Sequence, residues 1–116
     1  MTELSKWQKK CDKLMQEKGK KLFPKSILSG LPTQVMHHFV PKSVSARLRY
    51  DWDNLIPLTN GEHMRLHQSG DPQYEHDIIR LKGGDKWYLP LRKRGREIIK
   101  VNIAHYKKIY EEMSLL

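Results

Sequence analysis

The stretch "QVMHHFVPKS" (residues 34–43) places two histidines side by side between a short apolar run and a proline. Its β-branched and aromatic residues predict a strand over residues 34–40. Because successive side chains of a strand point to opposite faces of a sheet, His37 and His38 cannot form one patch. The pair therefore indicates two separate tasks, one for each imidazole.

Two further histidines follow at a spacing typical of a helix. His63 and His67 are four residues apart, so a helix places both on one face with their Cβ atoms about 6 Å apart. A third imidazole from the neighbouring strand would give a transition-metal site with positions left open for water and substrate. The other member of the adjacent pair would then stay free, with a pKa that suits a general base near neutral pH.

The chain between these histidines predicts the order strand, loop, strand, helix. The polar segment "KSVSARLRYDWD" (42–53) is expected to be an exposed loop, and "NLIPL" (54–58) is expected to be a second strand, at a sheet edge because of its proline. A short helix follows, capped by Thr59 or Asn60 and stopped by the glycine and proline of "GDP" (70–72).

Longer elements are expected on either side of this unit. Residues 4–22 predict an amphipathic helix, residues 24–33 a loop, and "GGDKWYLPL" (83–91) a turn that leads into a strand or irregular segment. A last helix is predicted over residues 91–113. Its apolar stripe, expected in the core or at the seam of a homodimer, consists of Ile99, Ile103, Tyr106, Tyr110 and Met113.

Length and composition bound the class of protein. A chain of 116 residues fits one domain with a modest core. There is no run of 18 apolar residues, and charges occupy the positions where a signal peptide needs an apolar stretch, so we expect a cytoplasmic protein that does not enter a membrane. Cys11 is the only cysteine, which excludes intramolecular disulfides and multi-cysteine zinc clusters.

The net charge of +9 is distributed unevenly. Residues 1–25 carry eight lysines and three acids, and residues 86–108 carry eight basic residues and one acid, whereas residues 26–85 are almost neutral. Two basic flanks around a neutral centre are typical of a nucleic-acid-binding protein with its chemistry in the middle. Solvated lysine-rich helices would give the same distribution, so the charge alone does not show whether the protein binds nucleic acid.

Three segments together resemble one family of nucleases. "HHFVPKS", "RYDWDNLIPL" and "GEHMRLH" are similar to the HNH, or ββα-metal (His-Me finger), endonucleases, and most similar to the branch with a double histidine, as in the DNase domains of colicins. The resemblance covers residues 34–70. It implies an α+β fold with a small ββα-metal core, flanked by an N-terminal helix and loop (1–33) and a C-terminal extension (71–116). Together they would form one HNH nuclease domain with basic helices on both sides.

The resemblance also implies roles for individual residues. His37, His63 and His67 would hold one divalent metal ion, which could be Mg²⁺, Mn²⁺, Ni²⁺ or Zn²⁺. His38 would be the general base. Asn54 would tie the loop between the strands and so fix the orientation of that base.

The resemblance implies metal-dependent hydrolysis of DNA phosphodiester bonds with 3′-hydroxyl and 5′-phosphate ends as products. Double-stranded DNA is the expected substrate, and single-stranded DNA, branched DNA and RNA are alternatives that the residues leave open. Lys42, Arg47 and Arg49 lie in the loop between the strands, where they are expected either to contact phosphates or to be solvated loop charges. A weaker resemblance extends to phage recombination proteins of the NinG type, and it implies a bacterial or phage-infected cell. Many of those proteins carry paired CxxC zinc knuckles, which this chain lacks, so its flanking helices must hold the small unit together.

Two other classes of protein fit the same residues. One is a catalytically silent HNH-fold protein that binds DNA or serves as a phage accessory protein, without metal-dependent cleavage. The other is a structural zinc module built on His37, His63 and His67, which would unfold when its metal is removed.

Overall fold

Five α-helices and a two-stranded sheet make up the α+β fold, which a computed structural model describes over residues 1–116. None of these helices combines the length and the apolar character that crossing a bilayer requires. The elements in chain order are α1 (Glu3–Leu22), β1 (Val35–His38), a 3₁₀ turn (Trp52–Asn54), β2 (Leu55–Leu58), α2 (Asn60–Gln68), α3 (Pro72–Lys82), α4 (Asp85–Gly95) and α5 (Ile103–Ser114).

The sheet separates the two adjacent histidines. β1 and β2 pair in antiparallel register, with His37 opposite Ile56 and His38 opposite Leu55. Residues that lie directly opposite each other share a face of the sheet. Leu55 belongs to the core under α1, and Ile56 packs with Ile78 of α3. His38 therefore lies on the α1 face and His37 on the face covered by α2 and α3.

Helix α1 is bound directly to the open edge of β1. The side-chain amide of Gln16 accepts a hydrogen bond from the backbone N–H of Met36 at 2.8 Å and donates one to its carbonyl oxygen at 3.0 Å. This pair of bonds replaces those of a missing third strand. A Cβ atom at Gly19 would overlap the Met36 side chain, whose Sδ would lie only 2.9 Å away. The close approach of α1 to β1 therefore requires glycine at this position.

The hydrophobic core has two parts, one on each side of the sheet. Helix α5 packs along α1, which covers one face of the sheet, and residues of both helices belong to the core on that side. Tyr106 and Met113, two residues of the predicted apolar stripe, are buried there, which confirms their assignment to the core. The larger part consists of Cys11, Met15, Met36, Tyr50, Leu55, Tyr106 and Met113, and the smaller part consists of Ile56, Leu58 and Ile78.

The two predicted strands and the helix between residues 34 and 69, and helix 4–22, agree with the structure to within a few residues. The segment 42–53 lies between the strands as predicted, but the expectation that it is exposed was wrong, because Ser45, Leu48 and Tyr50 are buried. Gly83 and Gly84 form the predicted turn, but the strand or irregular segment expected after it was wrong, because α4 begins at Asp85. Pro90 lies inside that helix, where its missing N–H and its ring normally disfavour helical structure. Trp87 and Tyr88, whose rings contact the Phe39 ring, hold the helix in place.

The predicted single helix over residues 91–113 was also wrong, since α5 begins only at Ile103. Asn102 has an extended backbone, and its side chain accepts a hydrogen bond from the backbone N–H of His105, so it is the N-cap of a new helix. Ile99 of the predicted stripe therefore precedes the helix. Helix α3 had not been predicted, although Asp71 caps it and Pro72 occupies its first turn.

Candidate metal centre

Three histidines from two elements converge beside the sheet. His37 comes from β1, and His63 and His67 come from consecutive turns of α2. Each offers one ring nitrogen, and these three nitrogens lie within 4.8 Å of one another. The ring centroids are 5.2 Å apart for His37 and His63, 5.4 Å for His37 and His67, and 4.4 Å for His63 and His67. This arrangement can hold a metal ion, as the i, i+4 spacing predicted.

Helix α2 is fixed at its start by a capping box. The Thr59 hydroxyl accepts a hydrogen bond from the Glu62 N–H, and the Glu62 carboxylate accepts one from the Thr59 N–H. Ser26 donates a second bond to the same carboxylate at 2.6 Å. Burial acts to raise the pKa of Glu62, but these hydrogen bonds outweigh burial and the pKa is lowered. The charged cap therefore holds the first turn of α2, and with it His63, against the preceding loop.

The His37 imidazole has the properties of a metal ligand. Its Nδ1 is enclosed and has no hydrogen-bond partner, the one buried side-chain nitrogen or oxygen atom of the chain in that condition. An unsatisfied buried polar atom costs about 1–3 kcal/mol, so it needs an explanation. Burial, and then the charges of the neighbouring imidazoles, lower the pKa of His37 to about 3. Burial and the proximity of His67 also lower the pKa of His63. The neutral nitrogens fit a divalent metal, which would satisfy the unpartnered Nδ1.

His38 occupies a different environment on the opposite face of β1. Its Nε2 lies 2.9 Å from the backbone carbonyl oxygen of Arg49. A carbonyl can only accept, so Nε2 must carry the proton and Nδ1 keeps the lone pair. Burial is the main cause that lowers the pKa of His38, and the charge of the nearby Lys42 acts in the same direction, while the bond to Arg49 opposes both. The side chain is thus a neutral imidazole with a fixed tautomer.

The Asn54 side chain connects two parts of the loop between β1 and β2, which also contains the Arg49 carbonyl group. Its side chain is fully buried. Its amide oxygen accepts from the Val40 N–H at 2.7 Å, and its amide nitrogen donates to the carbonyl oxygens of Val40 at 3.0 Å and of Leu48 at 3.2 Å. Arg49 directly follows Leu48 in the sequence. Asn54 therefore holds the backbone from which the Arg49 carbonyl contacts His38.

Two of the three loop residues expected to contact phosphates are engaged in ion pairs. Arg49 is bound to Asp12 of α1 through two bonds of 2.7 and 3.1 Å, and only 15% of its side chain is exposed. Arg47 is paired with Asp51 at 3.4 Å. These carboxylates already neutralise the guanidinium groups. Lys42 is exposed and has no ion pair.

A cleft of about 480 Å³ opens beside the three histidines, and both His37 and His67 line it. Arg92 and Arg96 line the same cleft from α4. Neither arginine was among the site residues predicted from the sequence, in which the preceding segment 83–91 was expected to be a turn leading into a strand or irregular segment. A spacing of four residues from Tyr88 to Arg92 and again to Arg96 is the signal that identifies this face of α4.

No family model matches the chain, and neither a curated protein nor a solved structure matches it. The similarity of residues 34–70 to HNH nucleases therefore remains an expectation drawn from the motif. The features of the chain that bear on its function are the three histidines, His38 and the cleft that His37 and His67 line.

Proposed function

We propose that the protein is a metal-dependent endonuclease of the HNH type that hydrolyses phosphodiester bonds of DNA. His37, His63 and His67 would hold one divalent ion, and His38 would be the general base. The observation that carries this proposal is the convergence of three imidazoles, one with an unpartnered nitrogen, while a fourth imidazole of fixed tautomer follows on the opposite face of the same strand. A metal ion and a general base are the two groups that phosphodiester hydrolysis requires.

In this proposal His38 prepares the nucleophile. Its Nε2–H donates to the Arg49 carbonyl oxygen, which leaves Nδ1 to take a proton from the attacking water. Asn54 keeps the loop in place, so the imidazole does not rotate away from that orientation. A bound divalent ion supplies positive charge that stabilises the phosphate in the transition state and the leaving oxygen. The expected products are 3′-hydroxyl and 5′-phosphate ends.

The number of converging ligands favours a catalytic site over a structural one. Structural zinc sites are almost always closed by four protein ligands, whereas catalytic sites commonly use three and leave a position open. Three histidines meet here, and they adjoin an open cleft. Imidazole ligands favour Mn²⁺, Ni²⁺ or Zn²⁺ in affinity, and cellular abundance favours Mg²⁺.

The proposal is tested with supercoiled plasmid and protein stripped of metal by EDTA. Mg²⁺, Mn²⁺, Ni²⁺ and Zn²⁺ are added one at a time to the wild type, to His38→Ala and to His76→Ala, the last a control on the exposed surface of α3. We expect metal-dependent conversion to nicked or linear DNA by the wild type and by His76→Ala. His38→Ala should bind metal and DNA but not cleave.

Two results would contradict the proposal in different ways. Cleavage by His38→Ala at the wild-type rate would show that another group is the base. Retardation of the plasmid without cleavage, whichever metal is added, would favour the catalytically silent DNA-binding protein.

A further inference from the structure

The seven arginines of the chain fall into two groups. Each member of the first group forms an ion pair with a carboxylate, and these are Arg47, Arg49, Arg65, Arg80 and Arg94. Arg92 and Arg96 form none. Both line the cleft that also contains His37 and His67. The two guanidinium groups that no carboxylate neutralises therefore occur together, beside the candidate metal centre.

The position of these arginines follows from the geometry of α4. Residues four apart lie on one face of a helix, and Arg96 keeps helical backbone angles just beyond the last residue of α4. Tyr88, one turn before Arg92, accepts a hydrogen bond from the Arg92 guanidinium at 2.9 Å, and the guanidinium lies 5.6 Å from the centre of the ring. Tyr88 itself packs edge-on against Phe39, with a centroid distance of 6.0 Å. Arg92 is thus oriented by contacts that lead back to the end of β1.

We propose that Arg92 and Arg96 bind a backbone phosphate of DNA in this cleft, next to the candidate metal centre. This inference rests on the proposed function, because it supplies that site with its substrate contacts. Guanidinium groups are suited to phosphate oxygens through paired, charge-assisted hydrogen bonds. Glu75 is the one carboxylate that lines the cleft, so the two arginines outnumber it. Helix α4 would thus supply phosphate contacts in addition to those expected from the loop between the strands.

The test measures DNA binding without catalysis. A fluorescently labelled 20-base-pair duplex is titrated in EDTA at several salt concentrations, and its anisotropy is followed. Arg92→Ala/Arg96→Ala is compared with Lys86→Ala/Lys93→Ala, which removes two charges from the same helix at exposed positions outside the cleft. Each lost phosphate contact should reduce the slope of log K against log salt by about 0.9. Affinity at low salt should fall about tenfold for each arginine, well beyond the effect of the lysine pair.

A gain-of-binding variant covers the case in which the double variant fails to fold. Glu75→Gln removes the opposing negative charge while keeping the shape of the side chain, so it should bind the duplex more tightly than the wild type. Equal affinity and salt slope for the arginine and lysine double variants would overturn the inference. So would the absence of duplex binding by the wild type, or unchanged affinity in Glu75→Gln.

The same titration separates this inference from the proposed function. It contains no metal and no turnover, so loss of binding in the arginine variant supports the phosphate site even if the plasmid is never cut. Plasmid cleavage that persists unchanged in the arginine variant would instead overturn the phosphate site and leave the nuclease proposal standing.

Discussion

Replacing Asn54 by alanine should destabilise the protein strongly, because its buried amide satisfies several backbone groups. The Val40 N–H and carbonyl oxygen would both lose their partner, whereas the Leu48 carbonyl keeps a bond from the Asp51 N–H. Two unsatisfied groups at about 1–3 kcal/mol each give a loss of about 2–6 kcal/mol. Domains of this size have a total stability of about 5–15 kcal/mol, so a large share would be lost.

The measurement is unfolding in urea, monitored by tryptophan fluorescence. Asn60→Ala is the matched control, because its side chain is exposed and its backbone bond to Gln34 survives the change; it should shift stability by less than about 0.5 kcal/mol. If Asn54→Ala lost less than about 1 kcal/mol, which is the net value of one ordinary hydrogen bond, the amide would not be what holds the loop.

Asn54→Asp tests the same hydrogen bonds by replacing the amide with a carboxyl group that can become charged. The new carboxylate still accepts from the Val40 N–H, but its second oxygen faces the carbonyl oxygens of Val40 and Leu48. Burial and this repulsion should raise the pKa of the introduced carboxyl group in the folded state. A raised folded-state pKa means that stability is retained below the unfolded value and lost as pH rises through the folded one. The variant should therefore lose more stability, relative to wild type, at pH 7 than at pH 4. An equal deficit at both pH values would contradict the assignment.

Three further predictions concern packing, titration and metal binding. Gly19→Ala should cost about 1–3 kcal/mol in urea unfolding because its Cβ overlaps Met36, whereas Gly61→Ala in α2, which has room, should be neutral or stabilising. Burial raises the pKa of the Cys11 thiol from 9.0 to about 11. The stability that this shift contributes should therefore be complete below pH 9 and be lost as the pH rises from 9 to about 11. The measured quantity is the difference in unfolding free energy between the wild type and Cys11→Ser. Metal at 100 times its Kd should stabilise the wild type by about 2.7 kcal/mol in thermal unfolding; His67→Ala should lose this gain, and an unchanged gain would exclude it as a ligand.

The histidine cluster could be predicted because it depends on the spacing of residues that are close together in the sequence. The spacing of His63 and His67 determines their common face once residues 60–68 are helical, and alternation along a strand separates His37 from His38. Only the position of α2 next to β1 had to be assumed. Because β2 leads directly into α2, this position is the simplest arrangement. The local pattern was sufficient for these elements.

The elements that were missed depend on context that a local pattern does not contain. Pro72 was interpreted as the stop of one helix, but it is also the first residue of the next. Pro90 disfavours a helix by itself, and contacts with residues distant in sequence, such as those of Trp87 and Tyr88 with Phe39, stabilise α4. In the same way, nothing near Arg49 in sequence indicates that Asp12, 37 residues earlier, will neutralise it.

The way in which β1, β2 and α2 are held together bears on the structural zinc alternative. Gln16 binds the edge of β1, and Ile78 of α3 packs against Ile56 behind the strand, so packing and hydrogen bonds support the unit on both faces. None of these contacts involves the imidazoles of the metal centre. Removal of metal should therefore abolish cleavage while circular dichroism and the urea midpoint of the metal-free protein remain those of a folded chain. Unfolding in EDTA would instead mean that the three histidines hold a structural ion, because packing alone would then be insufficient.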